Sequence, residues 1–155
     1  MIQLQLDCIP ISWSAPIKGK HGFYDKKSQE KEFIRWQLKG QYRDAPLTGP
    51  LAIEFIFFIP IPKSTSRAKR QQMLERRILP TTPDTTNVQK LFEDCLQGIV
   101  IDNDRYVNRI TSTRYYSEKP GVVAIVKTWQ EEMEKQHQVD RALDFEKNFY
   151  TKGCI

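Results

Sequence analysis

Apolar and polar residues alternate at the start of the chain, where Ile2, Leu4 and Leu6 are separated by Gln3 and Gln5. A period of two predicts a strand with one buried face. Pro10 and Pro16 then lead into a loop that carries Lys18, Lys20, His21, Lys26 and Lys27. Ser28 predicts the start of a helix, with Phe33, Ile34 and Leu38 on one face and Gly40 near its end. Trp36 and Tyr42 are expected to pack beside that helix. After Gly49 and Pro50, residues 51–59 are rich in Ile and Phe and predict a buried strand.

Residues 86–97 predict the clearest amphipathic helix. Val88, Leu91, Phe92 and Cys95 form its apolar stripe, Asn87, Lys90, Asp94 and Gln97 lie opposite, and Gly98 ends it. Thr86 fits the first position of a capping box that ends at Gln89. A short strand at 99–101 and a turn through Asp102, Asn103 and Asp104 are expected next. Two strands, 105–116 and 121–129, flank a turn from Ser117 to Gly121 and are expected to pair as an antiparallel hairpin. The fold class this predicts is α+β, a single domain. It has a small mixed β-sheet, a C-terminal antiparallel hairpin and two to four helices. The domain is expected to span 1–129, with a charged helical tail at 130–155.

Composition narrows the partners. A chain of 155 residues with 39% hydrophobic and 28% charged residues can bury one core. The excess of 24 Lys and Arg over 19 Asp and Glu suits a polyanionic partner without identifying one. Cys8, Cys95 and Cys154 have no paired spacing, and His21 and His137 are the only histidines, so neither a disulfide framework nor a Cys/His zinc site is expected. The longest apolar run is interrupted by Glu54 and is too short to cross a bilayer. With no leader-like N-terminus, a cytoplasmic protein without membrane contact is expected.

The candidate chemistry lies between Asp84 and Asp104. Asp84 precedes the 86–97 helix, and Asp104 lies in the turn that follows it. A chain that runs back along the helix, about 18 Å long, would bring the two carboxylates together. Oxygen donors of that kind suit Mg²⁺ or Mn²⁺, and such an ion beside a phosphodiester activates water for hydrolysis. Lys90 on the same helix would face a phosphate. Plainer roles exist for all three: a helix N-terminal acid for Asp84, a turn residue for Asp104, and an ion pair with Asp94 for Lys90. The stretch 63–77 sets six basic residues against Glu75 and is either a solvated face or a phosphate contact.

The segment Pro83-Asp-Thr-Thr-Asn-Val-Gln-Lys90, then Asp94-Cys-Leu96, then Asp102-Asn-Asp-Arg-Tyr-Val107, resembles the signature of RusA-like Holliday-junction resolvases. That pattern is approximately Pro-Asp-x-Asp-Asn-x-x-Lys, Asp-x-Leu and Asp-Asp-x-x-Val. Weaker similarity runs upstream through Ile59 to Ser64 and downstream through Tyr115 to Val123. The resemblance implies a bacterial or phage-encoded endodeoxyribonuclease that uses Mg²⁺ or Mn²⁺ and acts as a homodimer on four-way junctions. It places catalytic roles on Asp84, Lys90 and Asp104, and metal binding on Asp84 and Asp104, with Asp102 as a replacement acid from the turn. Lys18, Lys20, Lys63, Arg67, Lys69 and Arg70 are the expected DNA contacts. Two positions depart from the pattern: Thr86 stands for its second Asp, and Asn103 for the first acid of the later pair. Asp102 or Glu93 would compensate. The alternative is a branched-DNA-binding protein whose cleavage centre is weakened or lost.

Overall fold

In the computed structural model, which describes residues 1–20 and 22–137, ten segments follow one another along the chain. They are β1 (Ile2–Leu6), β2 (Ile17–Gly19), β3 (Gly22–Tyr24), α1 (Ser28–Gln41), β4 (Leu51–Pro60), α2 (Arg67–Leu74), α3 (Thr85–Leu96), a 3₁₀ turn (Asp104–Tyr106), β5 (Val107–Ser117) and β6 (Gly121–Thr128). The helical residues 129–137 leave β6 directly. The rest of the expected tail lies outside the described residues.

β4 organises the core because its sequence is apolar on both faces. It lies inside a four-stranded mixed sheet of order β1-β6-β4-β5, parallel to β5 and antiparallel to β6. Leu51, Ile53, Phe55, Phe57 and Ile59 point to the buried face, where α1 and α3 cover the sheet. Phe57 stacks on Phe55 and tilts against Phe92 of α3, both at 5.5 Å between ring centroids. The whole predicted stripe of α3, Val88, Leu91, Phe92 and Cys95, is buried there.

The α+β class and the small mixed sheet are as expected, but the C-terminal hairpin is not. β5 and β6 are antiparallel and joined by three residues, yet each pairs with β4 and not with the other. Residues 118–120 carry the chain across the end of β4. The physical reason is β4 itself, since an apolar strand of ten residues must satisfy its backbone groups on both edges. The two-stranded hairpin of the fold is β2–β3, inside what the sequence suggested was a loop.

Residues 99–101 also differ from expectation. They form a turn after Gly98 (φ +75°), with isolated bridges from Ile101 to Leu47 and Gln97 instead of a strand. Three apolar residues bury equally well in either form. Trp36, expected to be packed, is 71% exposed. Ile34 and Leu38 alone supply the buried face of α1, while Tyr42 does lie against the core. Residues 129–137 are anchored by Glu132, which meets Lys127 and Arg109 at 3.2 Å each.

Candidate nuclease site

β5 is an edge strand, and it runs antiparallel to α3. Three contacts fix that alignment. Arg114 of β5 donates to the carbonyl of Pro83 just before α3. Ser112 donates to Oε1 of Gln89 in the middle of the helix at 2.8 Å. Asp104, just before β5, lies close enough to Glu93 for their charges to interact. The return of the chain along the helix is therefore real, but it brings Asp104 to the third turn of α3 and not to its start.

Asp84 caps that start. Its Oδ1 accepts from the backbone N–H of Asn87 at 3.1 Å, so the helix begins at Thr85 and the cap is Asp84 instead of Thr86. Both residue types cap well, and the sequence alone does not separate them. Asp84 and Glu93 are nine residues apart, about 14 Å along a helix axis. Among the described residues no three His, Cys, Asp or Glu side chains are gathered in a way that would hold a metal ion. Asp84, Asp102 and Asp104 thus do not form one three-acid cluster. Asp102 is exposed, its N–H donates to the Leu47 carbonyl at 2.9 Å, and its charge acts on Arg105. Asn103 caps the 3₁₀ turn by accepting from the Arg105 N–H at 3.0 Å.

What the fold does assemble is a strip on α3. Thr86, Lys90 and Glu93 are spaced four and three residues apart, so they project to one side. Glu93 is half-buried, and its carboxyl is held above the usual range. Burial is the main cause, the Asp104 and Asp94 carboxylates add to it, and Lys90 opposes it.

Lys90 is not paired with Asp94 among the described residues. Its Nζ lies 4.0 Å from the centre of the Trp13 ring, a cation–π contact. Asp94 instead faces Lys31 at 3.8 Å. The Trp13 backbone N–H also donates to the Asn87 carbonyl at 2.9 Å, which ties the N-terminal loop to the helix. Trp13 was not among the sequence candidates. Seventy-seven residues separate it from Lys90, and no local pattern links the two.

The two described cysteines supply no thiolate to the site. Burial pushes the Cys8 thiol up to about 11 and the Cys95 thiol up to about 12, so neither is a thiolate at neutral pH.

The basic residues are spread over two elements. Lys63, Arg67 and Lys69 are exposed around α2, which is capped by Ser66 and packs on β5. Arg70 is committed to Glu118, with Nη1 at 2.6 Å from Oε1. Lys18 and Lys20 are exposed at the β2–β3 hairpin.

The sequence that builds this site has counterparts among known proteins. The profile described as Endodeoxyribonuclease RusA matches residues 14–127. The chain belongs to the RusA endodeoxyribonuclease family, the nucleases that resolve Holliday junctions. It is also 28% identical over 105 residues to the "Uncharacterized protein YqaN" of Bacillus subtilis (strain 168), covering 66% of this chain and 74% of the relative. No solved structure matches the chain significantly. No helix among the described residues is long and apolar enough to cross a membrane.

Proposed function

We propose that this protein resolves four-way DNA junctions in recombination and repair by divalent-cation-dependent phosphodiester hydrolysis, with its centre on the third turn of α3. The observation that carries this reading is the half-buried Glu93, whose carboxyl is raised by burial and by the charge of the exposed Asp104 just before β5. Two carboxylates with water and phosphate oxygens as further donors suit Mg²⁺ or Mn²⁺. Asp104 and Glu93 would hold the ion, with Asp84 at the head of the same helix and Asp102 in the turn as outer acids. When bound, the ion supplies positive charge to the phosphoryl oxygens and lowers the pKa of a water. Lys90, kept in place over Trp13, donates to a non-bridging phosphate oxygen and offsets the charge that builds there.

Glu93 then takes over the work of the acid missing at Thr86. Restoring that acid with Thr86→Asp is therefore expected to change cleavage by less than about threefold, because the introduced carboxylate would stand seven residues, about 10 Å along the helix, from Glu93 and outside the proposed ion site. A large gain on a labelled junction would instead mean that Thr86 leaves a ligand position empty.

A symmetric pair of cuts needs two centres, so the working form is proposed to be a homodimer. Phe33 and Trp36 support this. They are 50% and 71% exposed, stack at 6.2 Å on the outer face of α1, and have open space beside Gly40. An aromatic strip of that kind is a surface that a second copy would cover.

The test is a labelled four-way junction incubated with Mg²⁺, with Mn²⁺ and with chelator. Paired nicks that require the cation are expected. A second reading, branched-DNA binding without cleavage, is favoured by the absence of a three-acid cluster among the described residues. A stable complex that is never nicked would select it.

Both readings draw affinity from the basic surface. Replacing Lys63, Arg67 and Lys69 with Ala should lower the log–log salt slope of junction binding by roughly two to three, at about 0.9 per phosphate contact. Arg70 is left out because Glu118 already holds it. A titration in which the slope stays at its wild-type value would make these residues a solvated face.

A further inference from the structure

The β2–β3 hairpin stands apart from the main sheet, since among the described strands β2 and β3 pair only with each other. Its register places Lys18 opposite Phe23 and Ile17 opposite Tyr24, so Lys18 and Phe23 share one face. The Tyr24 ring lies across Gly19 on the other face, where an added Cβ would be 3.4 Å from Cδ1. Phe23 has no ring partner among the described residues and is 75% exposed. Such exposure is unusual for Phe and has no packing explanation among the described residues.

The surroundings of Phe23 are cationic. Lys18 is beside it, and Lys20 and Lys26 are exposed nearby. The adjacent acid, Asp25, is already neutralised: Lys31 meets it at 2.8 Å and the Lys27 N–H donates to it. The hairpin also starts four residues after Trp13, the residue that carries Lys90 and is bonded to Asn87. An aromatic ring among lysines is thus tied through a short tether to the helix that carries the candidate centre.

We infer that Phe23 is a positioning residue that stacks on a nucleobase opened at the branch point of the DNA, with Lys18 on the neighbouring phosphate. A continuous duplex offers no free base face, whereas a branch point has bases at helix ends whose faces can be uncovered. The hairpin therefore contributes preference for branched DNA, and the α2 lysine and arginine contribute general affinity. This inference rests on the nuclease reading and adds to it how the junction is distinguished from duplex.

The experiment compares the wild type, Phe23→Ala and Phe23→Trp on a four-way junction and on a duplex of the same sequence. A 2-aminopurine next to the branch point reports base unstacking. Wild type and Phe23→Trp are expected to bind the junction with a rise in fluorescence. Phe23→Ala should lose most of that rise and about tenfold of the junction-to-duplex affinity ratio, with duplex affinity and thermal melting unchanged. An unaltered ratio and fluorescence in Phe23→Ala would overturn the inference and leave the nuclease reading standing. A change in sedimentation on mutation, without a change in ratio, would also overturn it and make Phe23 a contact between copies. If wild type does not distinguish junction from duplex at all, the nuclease reading itself fails and takes the inference with it.

Discussion

Asp104→Asn is expected to lower junction cleavage by at least about a thousandfold while leaving junction binding intact or tighter. The carboxylate lies beside Glu93 at the end of α3, and its side chain has no structural bond among the described residues that the substitution would break. Asn keeps the size of the side chain and removes the charge that would hold a divalent cation and repel phosphate. Asp84→Asn is the informative companion. It can still cap α3, so the fold should persist, and its effect on cleavage measures how closely the head of the helix is involved. Single-turnover cleavage and gel-shift measurements on the same junction separate the two effects. Cleavage at the wild-type rate by Asp104→Asn would exclude the site on the third turn of α3.

The second large effect is expected from Glu93→Gln, and it has two opposite parts. Cleavage should fall by tenfold to a hundredfold, because a proposed ligand is lost. Stability at neutral pH should rise. The folded state holds the Glu93 proton more tightly than the unfolded chain does, since burial and two neighbouring carboxylates disfavour the charged form. The stability that Glu93 contributes is therefore full below the ordinary glutamate pKa of about 4.3 and is lost as pH rises through the raised value in the folded protein. Gln has no such titration. The difference in Tm between variant and wild type should thus be small near pH 4 and widen toward pH 7. Adding Mg²⁺ should raise the Tm of the wild type more than that of the variant. A variant that is less stable than wild type at every pH would show that Glu93 is a packing or hydrogen-bonding residue instead.

How much of this the sequence disclosed depends on the range of the interaction. The stripe of α3 and the burial of β4 follow from local periodicity, and both were legible. The pairing of β5 and β6 was not. Two strands joined by a short turn form a hairpin unless a third strand competes for their edges, and nothing between 105 and 129 records the presence of β4. Trp36 shows the limit of assuming that aromatics are buried. The resemblance of Asp84, Lys90 and Asp104 to a family pattern drew attention to α3 and the turn after it. The link from Asp104 to Glu93, and the Trp13 ring under Lys90, arise from tertiary packing. No residue spacing encodes either contact.

The position of β4 between two strands made later in the chain has a consequence for synthesis. While the ribosome is still adding residues before Val107, β4 has neither of its eventual neighbours. Phe55 and Phe57 then have only α1 and the incoming α3 to cover them, and a ten-residue apolar strand has both edges open. Leu51 must wait for Val107 and Thr128 before its ladder is complete. The ladder of β4 is therefore completed only by contacts more than fifty residues apart, which local helices cannot replace. Until β5 and β6 emerge, the nascent chain carries its longest apolar strand with both edges open, the state in which strand-edge association competes with folding.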